Sequence, residues 1–146
     1  MSEVYWDRDE YAYVLKEKLS NGQTIFLMFQ ELDDTDLDYV NYNVVIGVYS
    51  KRKHANMNEE NKRITGKSPW ETAIKAVKMF DKIEQTVIQE NLDYGKGVAI
   101  FVHWVDNRRR DAYYSVLSKR GYKYGMAFGE KHLIKRVRPH TRTPAK

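Results

Sequence analysis

The residues of this 146-residue chain with the most chemical potential lie between Arg63 and Gly121. The loop Arg63-Ile-Thr-Gly-Lys-Ser68 sets Gly66 between two cations, directly before a long segment of helical periodicity. Free N–H groups and the positive dipole end at a helix N-terminus favour an anion. Gly66 permits close approach of a phosphate, and Arg63 and Lys67 add charge. An ordinary helix start, with its N–H groups satisfied by Ser68, is the alternative. His103 stands beside Trp104 in an apolar run. Histidine titrates near neutrality and so suits a general base; a hydrogen-bonded core histidine is the other reading. His54, His132 and His140 have no metal-ligand spacing. Arg108, Arg109 and Arg110 open a helical segment, where positive charge opposes the helix dipole. With Lys119 and Arg120, and with tyrosines between, they form a candidate partner-binding face for nucleic acid or an acidic protein surface. A solvated charged face is the alternative.

Charge is polarised along the chain. Residues 1–50 hold 3 Lys/Arg against 10 Asp/Glu, whereas residues 97–146 hold 12 against 3. The basic half would attract phosphates; alternatively the two halves face each other. There are no cysteines, which excludes disulfides, thiolate metal sites and a cysteine nucleophile. No apolar run approaches the roughly 18 residues a membrane span needs, and the acidic N-terminus lacks a signal-peptide core. The expectation is a cytoplasmic protein without membrane attachment. Walker, Gly-x-Ser-x-Gly and dinucleotide fingerprints do not occur.

These groups need a scaffold. Apolar runs at about 11–19 and 23–30, joined at Asn21-Gly22, predict a hairpin. Glu31–Asp38, with five acids in eight residues, reads as an exposed loop, and Tyr39–Tyr49 as a third strand. Ser50–Lys62 is polar and reads as a long loop. Ser68-Pro69-Trp70-Glu71 is a capping box that starts a helix over about 69–91. Its expected stripe is Trp70, Ala73, Ile74, Val77, Phe80, Ile83, Val87 and Ile88. Val98–Val105 predicts a strand buried on both faces. Asp106 or Asn107 caps a second helix over about 107–120, with Ala112, Tyr113, Val116 and Leu117 buried and Gly121 at its end. A hairpin over 122–137 turns at Gly129-Glu130. The expectation is one domain over 1–137 and a basic flexible tail over 138–146. The size, the many tyrosines and the lysine-rich surface suit a viral or accessory protein.

The order of elements, the loop Arg63–Ser68, and Asn107 followed by a helix and Gly121-Tyr122 together resemble the GNAT superfamily of acyltransferases. The resemblance covers roughly residues 11–137. It implies an α+β (α/β) fold, a mixed, mostly antiparallel sheet with two main helices packed on it. It also implies acetyl-CoA held by Arg63, Thr65, Gly66, Lys67, Ser68 and Asn107, and acetyl transfer to an amine substrate. The family's usual tyrosine acid, four residues before the glycine, is Leu117 here, which has no proton to donate. Tyr113 and Tyr114, one turn earlier, are the substitutes, and His103 or a water is the expected base. No metal is expected. The other expectation is a non-catalytic module of the same fold, binding a protein or nucleic acid through its basic half.

Overall fold

The computed structural model describes residues 3–32, 38–49 and 69–139. The loop Arg63–Ser68, most of the acidic segment, His54, and His140 with the rest of the tail lie outside the described residues. The chain order is β1 (Tyr5–Asp7), β2 (Ala12–Lys18), β3 (Thr24–Glu31), β4 (Tyr39–Tyr49), α1 (Pro69–Asp93), β5 (Gly97–Val102), α2 (Asn107–Leu117), β6 (Lys123–Ala127) and β7 (Glu130–Val137). The strands form a seven-stranded sheet in the order β1-β2-β3-β4-β5-β7-β6. It is mixed and mostly antiparallel: β4 and β5 run parallel, and β1–β2, β2–β3, β5–β7 and β6–β7 antiparallel.

Contacts divide the chain into two compact units, and β4 and α1 each contribute to both. The first unit holds Met1–Gln30 and Val45–Thr86. Its first hairpin is the expected one, but β2 and β3 pair from Lys18 with Thr24, so the loop is five residues long. Gly22 takes φ 90°, and Asn21 Oδ1 accepts the Gln23 N–H at 2.9 Å. β1 was not expected, because residues 1–10 are polar. Asp7 Oδ1 accepts the N–H groups of Asp9 and Glu10 and so closes the turn into β2. Trp6 rests edge-on against Tyr11 and Tyr13. Ile25–Phe29 is a continuous buried run, as a central strand requires.

α1 begins at Pro69, as the capping residues predict. Of its expected stripe, Phe80, Ile83 and Val87 are buried, but Ala73 is exposed and Ile74 is 44% exposed. Met79 and Glu84 are buried as well. Periodicity identifies a face, but how far along a helix that face is covered depends on what lies opposite.

The second unit holds Glu31–Val44 and Val87–Lys146. β5 is buried along its whole length, as an all-apolar run between two neighbours should be. At Gly97 a Cβ would sit 2.8 Å from the Val137 carbonyl oxygen and 2.9 Å from the Tyr39 ring, so only glycine fits there. Ala99, Phe101 and Ile134 form a core cluster with Tyr39 and Ala127 against it. α1 ends at Asp93, and beyond it Gly95 has φ 76° and its N–H donates to Leu92 O. Asn91 Nδ2 donates both to Val87 O and to the Tyr42 hydroxyl, each at 2.9 Å.

Burial pushes the Tyr42 phenol up to about 12; the Asn91 hydrogen bond opposes this, and the charges of Glu31 and Glu90 add to it. Burial likewise raises the Glu31 carboxyl. The folded phenol keeps its proton to higher pH than the unfolded one. Its contribution is therefore complete below the unfolded value of 10.0 and is lost as pH rises towards about 12. The rise from 10.0 to about 12 corresponds to about 2–3 kcal/mol. Denaturant titrations at pH 9–12 are expected to show the native protein losing this much more stability than Tyr42→Phe. Parallel curves for the two proteins would sink this account.

Candidate functional site at the end of strand β5

The expected strand Val98–Val105 stops at Val102. His103, Trp104 and Val105 leave the sheet, because Asp106 takes an extended conformation and caps α2, accepting the Arg109 N–H at 2.8 Å. His103 is therefore not a core histidine: its side chain is 41% exposed. Its Nε2 lies 2.5 Å from Glu130 Oε1. A carboxylate only accepts, so Nε2 carries the proton and Nδ1 is left as the basic nitrogen of the neutral ring.

Glu130 is held there by a two-residue turn. Ala127 pairs with Glu130, and Phe128 and Gly129 between them take φ 53° and 80°. These are the signs of the hairpin turn that matches strand twist. Positive φ costs a bulky residue such as Phe128 about 1–2 kcal/mol. Its ring offsets this by packing edge-on against Phe101 at 5.1 Å and against His132 at 5.7 Å. His132 is buried, and its Nδ1 donates to the Glu130 carbonyl at 3.0 Å. The two imidazoles lie 4.9 Å apart, and Trp104 stacks on His103 at 5.7 Å.

A second aromatic group adjoins the first through Trp104. Its ring meets Tyr124 edge-on at 5.8 Å, and Tyr124 stacks on Tyr114 at 5.0 Å with 3° between planes. Lys131 Nζ lies 5.1 Å over the Tyr124 ring. Tyr114 thus joins His103 only through a chain of rings, and Tyr113 is half-buried.

The expected buried stripe of α2 reduces to Leu117: Ala112 is exposed, and Tyr113 and Val116 are half-buried. The helix closes through a 3-10 turn, Ser118–Arg120, with Gly121 at φ 92° and the Tyr122 N–H bonded to Leu117 O at 3.1 Å. In this arrangement the residue at the Leu117 position contacts the one after glycine, and both Leu117 and Tyr122 are buried. That accounts for a leucine where a tyrosine acid was sought. Asn107 is the first residue of α2, exposed, and the cap is Asp106. Arg108 and Lys119 are exposed, Arg109 is half-buried, and Arg110 pairs with Asp111 at 3.0 Å. Arg120 Nη1 donates to Val116 O at 3.0 Å, so it serves the helix end.

Glu130, His132 and Phe128 were missed as site residues. Their alternation with Ile134 was visible, but their nearness to His103 depends on the pairing of Val102 with Leu133. Among the described residues no cluster of His, Asp or Glu could hold a metal, and no helix is long and apolar enough to cross a membrane. In comparisons with known proteins, the chain matches no family profile, no curated protein and no solved structure.

Proposed function

We propose that the chain is a divergent GNAT-like N-acyltransferase that moves an acetyl group from acetyl-CoA to an amine. One observation carries the reading: the parallel pair β4–β5. Its register joins Tyr39–Asn43 to Gly97–Phe101, and His103 follows two residues after the last pair. α1 is the crossover between the two strands, and β7 lies on the far side of β5. The resemblance drawn from the sequence implies the same order, with the thioester placed where the parallel strands part. It also implies that Arg63, Thr65, Gly66, Lys67 and Ser68, which lie outside the described residues, hold the cofactor's phosphates; in sequence they come just before Pro69, where α1 starts.

Acetyl-CoA supplies the activated acyl group. His103 Nδ1 takes a proton from the attacking ammonium, and Glu130 keeps the imidazole in the required tautomer. The amine nitrogen then bonds to the acyl carbon, and the carbon–sulfur bond breaks. The acylated nitrogen sheds its remaining proton to water or Tyr113, which passes one to the thiolate, since Leu117 has none to give. A non-catalytic module is the second reading, favoured by the burial of Leu117 at 5% exposure.

The test of cofactor binding is thermal. Acetyl-CoA at a hundred times its Kd should stabilise the native state by about 2.7 kcal/mol. For a chain of this size that raises Tm by roughly 5–10 °C. An unchanged Tm at millimolar acetyl-CoA rejects the proposal.

A further inference from the structure

We propose that the exposed face of the second unit formed by Tyr114, Tyr124 and Trp104 with Lys131 binds single-stranded nucleic acid by stacking on its bases. This goes beyond acyl transfer and does not rest on it.

The first ground is the rings. Tyr114 and Tyr124 are 44% and 39% exposed, so they do not serve as core filling. They lie parallel within 3°, with Trp104 edge-on beneath. A parallel pair of part-exposed rings is a platform that a further flat ring can extend. Stacking of a base on an aromatic side chain tolerates any sequence, because every base has a π-face.

The second ground is charge. Residues 97–139 hold 10 Lys/Arg against 3 Asp/Glu. The cations are placed with the rings. Lys131 lies over Tyr124, and Arg110, which pairs with Asp111, stands one turn before Tyr114 on α2. Alternating flat apolar faces with cations suits a strand that alternates bases with phosphates. A duplex keeps its base faces stacked inside and offers only the phosphates. An acidic protein segment likewise offers charge without planes. Single strands therefore match both features, and the other two partners match one.

The test is fluorescence anisotropy of the full chain with a labelled 12-nucleotide oligo-dT or oligo-U. Its duplex, polyglutamate and acetyl-CoA serve as comparators. The expected result is binding at 50 mM salt that weakens linearly in log salt. Tyr114→Ala should weaken it about five- to a hundredfold, the worth of one stacked base, while Tyr114→Trp retains it. Lys131→Gln should reduce the salt slope by about 0.7, the single-strand value for one phosphate contact. Circular dichroism and Tm of each variant confirm that the fold is intact. The proposal is overturned if no binding occurs at 50 mM salt, or if folded Tyr114→Ala binds as tightly as the parent. It is also overturned if the duplex or polyglutamate competes as well as the single strand, which would mark a general polyanion or acidic-protein surface. Displacement of the oligonucleotide by acetyl-CoA at the Kd found from the thermal shift overturns it too, since the strand would then occupy a cofactor site.

Discussion

Under the proposed acetyl transfer, His103→Ala is expected to lower kcat/KM by about a hundred- to ten-thousandfold, the usual worth of a positioned base. The amine arrives protonated at neutral pH and cannot attack until it gives up that proton. In the proposed reaction His103 takes it, and the side chain is 41% exposed, open to a substrate. The same exposure protects the control: a side chain past the end of the strand can be truncated without opening the core. Glu130→Gln should cost less, about five- to tenfold. A glutamine oxygen still accepts the Nε2 proton, but the charge that strengthens the bond is gone. Both side chains face solvent, 41% and 62% exposed, which limits the value of that charge. Added imidazole should restore part of the rate to His103→Ala and none to Glu130→Gln. A folded His103→Ala that keeps more than a third of the activity would remove His103 as the base.

Leu133→Ala should destabilise the protein by about 2–5 kcal/mol, the range for a buried leucine whose cavity does not collapse. Leu133 is fully buried on β7, paired with Val102 on one side and Tyr124 on the other. It therefore lies under the strand end that releases His103 and beside the strand that carries Tyr124. Against a total stability of about 5–15 kcal/mol the loss is large, and it corresponds to a Tm drop of roughly 5–15 °C. Tyr94→Ala is the contrast. Tyr94 is 85% exposed, and its removal should change stability by no more than about 0.5 kcal/mol. Calorimetry of the two variants checks this pair. A loss under 1 kcal/mol for Leu133→Ala would mean that this part of the sheet is not a packed core.

Local chemistry decided a good deal of the architecture. The start of α1 at Pro69, the glycine close at Gly121, the buried run of β5 and the last hairpin, though its turn falls at Phe128-Gly129 and not at the expected Gly129-Glu130, follow from side chains within a few residues of one another. A proline that suits only a first turn, a glycine that alone takes φ 92° easily and an unbroken apolar run each act over a short stretch. Sequence also singled out His103 and Tyr114, though with other surroundings. What it left undecided depends on pairing between distant segments. β1 forms because Asp7 closes a turn and β2 offers an edge, not because Tyr5–Asp7 favours a strand. The apolar stripe of α2 is only partly covered, with Leu117 alone buried, because covering it needs a neighbour that periodicity cannot supply.

The same division runs through the candidate site. Residue types alone marked His103 as a possible base and the tyrosines and cations as a possible binding face. Only the tertiary structure brought Glu130 to His103, because their contact depends on the β5–β7 register and on a turn that holds Phe128 at positive φ. It likewise joined Tyr114 to Tyr124 from two separate elements. Helix ends and turns are set by short-range sterics and hydrogen bonds, which a sequence displays directly. A site is set by which strands become neighbours, and that is settled by the burial of the whole sheet.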